Sequence, residues 1–114
     1  MRELTVATNL TAGATTAVYT VPKGCKAIAT LLFLSNHTGS SKAITASWYD
    51  HSDTTTVDIV ASKSLGSKDY IQFSNGRMVM DEYDELRCTP EAGATMSVIF
   101  TVEIHQNTSY QNGS

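Results

Sequence analysis

The stretch from Tyr19 to Asn36, YTVPKGCKAIATLLFLSN, constrains this chain more than any other. A turn signal, Pro22-Lys23-Gly24, leads into a run whose two alternating sets of residues are both apolar. Ile28, Leu32 and Leu34 lie on one parity and Ala27, Ala29, Leu31 and Phe33 on the other. A half-exposed strand carries polar residues at every second position, so this pattern predicts a strand covered on both faces. Turn residues bound the run at both ends, which disfavours a helix, and it is too short for a membrane span of about 20 apolar residues.

The rest of the chain reads as strands divided by turns. Glu3 to Leu10 alternates Leu4, Val6 and Leu10 against Glu3, Thr5 and Asn9, and Ala14 to Val21 is rich in β-branched residues. After the polar loop NHTGSSK, Ile44, Ala46 and Trp48 share a parity, which assigns the lone tryptophan to the core. Val57, Ile59 and Ala61 alternate with Thr56 and Asp58. Tyr70 to Phe73 and Met78 to Met80 flank Asn75-Gly76, the strongest hairpin signal present, because Asn-Gly supplies both positive-φ positions of a type I′ turn. Leu86 and Cys88 form a strand ended by Pro90, and Met96, Val98, Phe100, Val102 and Ile104 alternate with Thr95, Ser97, Thr101 and Glu103. No window sustains a helical period. The expected fold is all-β, an antiparallel sandwich of about eight short strands, jelly-roll or immunoglobulin-like, spanning residues 1–105, with 106–114 as a polar, flexible tail.

At 114 residues the chain is one domain, able to bury roughly 60 to 70% of its unfolded surface. A formal charge of -3 with scattered basic residues argues against a nucleic-acid partner. The start MRELTVATNL lacks a signal-peptide core, so synthesis in a reducing cytoplasm is expected, with Cys25 and Cys88 packed as small hydrophobes rather than bridged. The same consideration discounts the sequons at Asn9, Asn36 and Asn107.

Signals for catalysis or cofactors are weak. His37, His51 and His105 stand apart from one another and from any Cys-x-x-Cys, and the loop DHSDT lacks the ligand register of a calcium loop. The acidic corner DEYDE (Asp81, Glu82, Asp84, Glu85) reads as a solvated turn, and a single tight turn cannot set two carboxylates across a cleft for glycoside hydrolysis. No nucleophile elbow or phosphate-binding glycine run occurs. Neither enzymatic activity nor a cofactor is expected. Tyr49, Tyr70 and Tyr83 are candidates for a binding platform or an oligomer interface.

TAVYTVPKGCKAIATLLFLSN, a hairpin bearing Gly76 followed by MVMDEYDELRCTP, and AGATMSVIFTVEI together resemble the small all-β structural proteins of tailed bacteriophages, over roughly Thr16 to Ile104. One departure is that Tyr83 stands where the acidic turn of that family often has glycine; a bulky residue there would be strained at positive φ or projected into an interface. The resemblance implies a non-enzymatic virion component: a capsid decoration (cement) protein, or a small tail or neck element. It implies a homo-oligomer, with a trimer as the first expectation, contacting the major capsid protein and making no contact with membrane. Interface residues expected on this reading are Arg2, Leu4 and Val6 of the first strand, with Tyr49, Tyr70 and Tyr83. A reading from another class is a carbohydrate-binding sandwich stacking sugars on Trp48 and the same tyrosines, which a buried Trp48 would disfavour.

Overall fold

The computed structural model describes residues 2–74 and 78–106. These form nine strands and no helix: β1 (Arg2–Leu10), β2 (Thr16–Thr20), β3 (Cys25–Asn36), β4 (Lys42–Asp50), β5 (Thr55–Leu65), β6 (Tyr70–Phe73), β7 (Met78–Met80), β8 (Glu85–Pro90) and β9 (Met96–Gln106). One sheet has the order β1-β9-β3-β6, with β7 also on β3, and the other runs β2-β8-β4-β5. All pairings are antiparallel, and the two sheets pack as a sandwich of 55 × 25 × 20 Å. The all-β sandwich expected from the sequence is present, with nine strands in place of about eight. Gln106, expected in the tail, closes β9; the remainder of that tail and the Asn107 sequon lie outside the described residues.

The central run has a different cause from the one its pattern suggested. In β3 the register against β9 shifts between Ala29 and Leu31, a bulge that adds one residue and reverses the side-chain phase. Ala27 and Ala29 before the bulge, and Leu32, Leu34 and Asn36 after it, therefore all enter the core, while Leu31 and Phe33 point outward and are half-buried. Two apolar parities here record one buried face that changes phase, together with an outer face that no other strand covers among the described residues.

The bulge also corrects the expected hairpin. The Asn75-Gly76 turn lies outside the described residues, but β6 and β7 are not partners of each other. Both run antiparallel to β3 along one edge, β6 against Leu32 to Ser35 and β7 against Ala27 to Ala29. Thr30 and Leu31 of β3, at its bulge, pair with neither of them. β6 and β7 share one edge of the sheet.

The core gathers Val18, Tyr19, Val21, Leu32, Leu34, Ile44, Leu65, Met80, Leu86, Cys88, Met96, Val98, Phe100, Val102 and Ile104 from both sheets. β5 runs to Leu65, beyond the segment Thr55 to Ser62 that alternation predicts, because register shifts against β4 on either side of Ala46 let its end return Leu65 to the core. Asn36, fully buried, is the polar tie at the end of β3. Its amide nitrogen donates to the carbonyls of Ser40, Leu65 and Gly66, and its side-chain oxygen accepts from the Thr38 N–H. A buried amide is tolerated only when its donors and acceptor are matched in this way.

Cys25 and Cys88 are not bridged to each other. Cys88 is fully buried, and burial pushes its thiol from 9.0 up to about 12. A folded-state value above the unfolded one makes the stabilisation complete below pH 9 and lost as pH rises toward 12, amounting to roughly 4 kcal/mol. Tyr19, whose pKa burial also raises, acts in the same direction. Equilibrium urea unfolding across pH 8 to 12 is expected to show this alkaline fall, and the Cys88→Ala variant, less stable at neutral pH, is expected to show a shallower one.

Candidate interface surfaces

Tyr49, next to the last residue of β4, lies on the outer face of the four-stranded sheet, opposite Glu85 of β8 and away from Trp48 and Leu86, which point inward. The Arg87 guanidinium lies 4.1 Å from the centre of the Tyr49 ring, and its Nε donates to Glu85 Oε1 at 2.8 Å. Just beyond Tyr49, His51 meets the Tyr49 ring edge-on at 6.2 Å and the Tyr83 ring edge-on at 5.2 Å. Arg87, Tyr49, His51 and Tyr83 thus form a continuous row in which a cation covers one aromatic face and the imidazole bridges two phenols.

This row is held in place by Asp84. Its carboxylate is 4% exposed and accepts three hydrogen bonds: from the Asp81 N–H at 3.0 Å, from the His51 N–H at 3.0 Å and from the Trp48 indole N–H at 3.3 Å. The acidic corner is therefore not a wholly solvated turn. One of its four carboxylates is an internal strut joining the β7–β8 turn to the end of β4, and a second, Glu82, accepts from the Gly24 N–H at 2.9 Å. Tyr83 adopts φ +68, the left-handed conformation expected to be strained for a bulky residue. Hydrogen bonds from the Tyr83 N–H to the Val21 carbonyl and from the Val21 N–H to the Asp84 carbonyl lock it there and leave the ring exposed.

Tyr70 does not join this row. It lies on the outer face of the other sheet, stacked on Phe33 at 5.0 Å with an interplanar angle of 18°, so the three tyrosines form no single platform. Around that stack the same face carries Leu31, Ala7, Ile99 beside Phe33, and Val79 beside Ile28; Tyr70 is 57% and Val79 50% exposed. The first strand supplies the third surface. Arg2 and Leu4 are exposed and Val6 is half-buried, on an edge of the five-stranded sheet with no strand beyond it among the described residues.

Trp48 has the inward parity expected, but it sits at the margin of the core, half-buried, with its N–H committed to Asp84. With Asp50, Val57 and Ile59 it lines an open, largely apolar cleft of about 210 Å³ beside β5. The other histidines have local duties. His37 Nε2 lies 3.0 Å from both Ser35 Oγ and Ser97 Oγ, and His105 is 3.6 Å from Glu103. Asn36, one of the sequons, is buried and inaccessible for glycosylation in the folded chain. Among the described residues no three of His, Cys, Asp and Glu lie close enough to hold a metal ion. Comparison with protein-family models, with curated proteins and with solved structures returned no match.

Sequence reasoning did not place His51 between Tyr49 and Tyr83, did not give Asp84 its buried role, and did not bring Phe33 and Ile99 together with Tyr70 on one outer face. The signal available for Asp84 was its place next to Tyr83 in a turn where glycine is preferred. The strain at Tyr83 leads to an ordering opposite to that of ordinary positions. Tyr83→Ala loses the ring and keeps the strain, whereas Tyr83→Gly loses the ring and relieves it, so the glycine variant is expected to be the more stable by about 1 kcal/mol in urea unfolding.

Proposed function

We propose that this chain is a non-enzymatic structural subunit of a tailed-bacteriophage virion, a capsid decoration protein that binds the shell as a homo-oligomer. The observation that carries this reading is the outer face of the five-stranded sheet. Leu31, Phe33, Tyr70, Val79 and Ile99 lie together there, over the buried Ile28, and the Phe33–Tyr70 stack forms a two-ring platform on it. Large side chains grouped on an open sheet face characterise surfaces that meet another protein. Aromatic residues give such a surface most of its contact area at small cost in side-chain entropy.

The rest of the surface supports the same role. The four-stranded sheet turns outward Thr45, Ser47, Tyr49, Asp58, Glu85, Arg87 and Thr89, a polar face suited to water. Many of the polar groups near the ends of the strands are occupied in internal hydrogen bonds, as Asp84, Glu82, Asn36 and His37 are. A subunit with an apolar cluster on one outer face, bordered by polar residues such as Glu3, Glu103, Thr5 and Thr101, and a polar opposite face can seat that cluster on a shell and leave its other side hydrated. In a tail or neck element the same apolar face would meet a different partner, and the choice between these positions is made by the binding experiment.

Purified protein mixed with phage shells stripped of accessory proteins is expected to co-sediment to a fixed stoichiometry. Ile99→Lys and Tyr70→Ala, both at exposed positions, are expected to weaken that binding by about tenfold or more while leaving the circular dichroism and melting curve unchanged. Absence of binding to shells, or binding indifferent to both substitutions, overturns the assignment.

A further inference from the structure

The sandwich has four lateral strand edges, and three of them are blunted. β2 is five residues long and bulged between Ala17 and Tyr19. β5 carries two register shifts and, at Ser62, a φ of +48. The edge beside β3 is broken into β6 and β7, of four and three residues. Short strands, bulges and interruptions are the devices by which sheet proteins prevent their edges from pairing with other chains. β1 has none of them. Its nine residues pair with β9 in unbroken register from Arg2–Ile104 to Leu10–Met96, with no proline and no lysine, and its only charges are Arg2 and Glu3 at one end.

The inward side of β1 is also unfinished. Leu4 shares a face with Val102, which is fully buried, yet Leu4 remains 36% exposed, and Val6 beside Phe100 is only half-buried. A strand laid against β1 would cover both residues and satisfy the backbone groups on its free edge.

We propose that β1 pairs antiparallel with β1 of a second copy about a two-fold axis at Thr5, so that one sheet runs through both subunits. The sequence accommodates this register without opposing like charges. Side chains directly opposite across an antiparallel pair share a face, so an axis at Thr5 sets Leu4 against Val6 of the second copy twice, on the inward side. On the outward side it sets Thr5 against Thr5 and Glu3 against Ala7, and it puts Arg2 opposite Thr8, so neither charge meets its own copy. An axis at Glu3 would oppose two carboxylates, and an axis at Val6 would set Leu4 against Thr8. Because each subunit spends the same edge, the contact closes at two copies, and a three-fold arrangement would need a different surface. The proposal deepens the self-association in the reading above and rests on that part of it, but it does not depend on a shell, and its test uses the protein alone.

Sedimentation equilibrium of the purified full chain at micromolar concentration is expected to give twice the 12.3 kDa chain mass. Thr5→Lys and Thr5→Glu, at an exposed position whose side chain bonds only the Thr101 hydroxyl at 2.9 Å, each place like charges across the axis. Each variant alone is expected to dissociate about tenfold or more readily, and an equimolar mixture of the two to recover the dimer as a heterodimer. Far-ultraviolet circular dichroism and melting curves confirm that both variants are folded, and Leu4→Lys, tested in parallel, is expected to weaken the dimer through the inward side. A monomeric wild type, a trimer, a dimer unaffected by Thr5→Lys, or a mixture that stays monomeric overturns the proposal. Loss of shell binding with the dimer intact would count against the shell-docking role alone.

Discussion

The pairing of β3 with β9 is the constraint on which the other strands depend. It runs from Cys25–Gln106 to Asn36–Met96 and supplies the inner face with Ala27, Ala29, Leu32 and Leu34 from one strand and Met96 through Ile104 from the other. β1 is positioned by β9, and β6 and β7 by β3. The pairing succeeds because of one additional residue. A strand alternates with period two, so without the bulge Leu32 and Leu34 would face outward wherever Ala27 and Ala29 face inward. The extra residue at Thr30 restores the phase, and the Thr30 hydroxyl donates to the Thr101 carbonyl at 3.3 Å beside the irregularity.

Alternation made most of the strands legible in the sequence. The last strand, with Met96, Val98, Phe100, Val102 and Ile104 all buried, and the lone tryptophan's inward parity follow from period two alone. The bulge was not legible, because an apolar run without alternation is equally consistent with a strand covered on both sides and with one that changes phase. Asn75-Gly76 misled for a related reason. Turn preference is local, whereas the partners of β6 and β7 were decided by the open edge of β3, which offers more hydrogen bonds than the two short segments could give each other. The separation of Tyr70 from Tyr49 and Tyr83 depends on which sheet each strand joins, and strand spacing does not determine that.

The two buried polar struts are a second class of feature hidden from pattern reading. Asp84 and Asn36 sit in polar stretches, DEYDE and SNHTGSS, whose composition suggests solvated loops. In the fold each is drawn inward because the turn around it leaves several backbone groups pointing at one place. Asp84 collects donors from three separate positions, Asp81, His51 and Trp48, and Asn36 collects acceptors from Ser40, Leu65 and Gly66. A charge or amide buried with matched partners costs little net free energy and fixes geometry. Removing it would leave those donors or acceptors unpaired, which costs about 1 to 3 kcal/mol for each group left without water. Both ends of β4 are tied in this way: Asp84 holds the end bearing Tyr49 and His51, and the loop joined by Asn36 leads into its start.

Bulges do more in this molecule than correct phase. One in β3 aligns the core and coincides with the break that shortens the edge beside it; one in β2 and two register shifts in β5 disturb the edges of the other sheet. Irregularity thus falls on or next to every lateral edge except that of β1. An edge that must not pair gains from a bulge, while an edge that must pair requires matched spacing of N–H and C=O groups along its length. Regularity in β1 also costs the isolated chain something, because it leaves Leu4 partly in water and a row of backbone groups without a strand partner. The other edges avoid that cost by bulges, register shifts or short strands. A long, even, mostly uncharged β1 keeps that matched spacing along its whole length, and this is the feature on which the dimer proposed above rests.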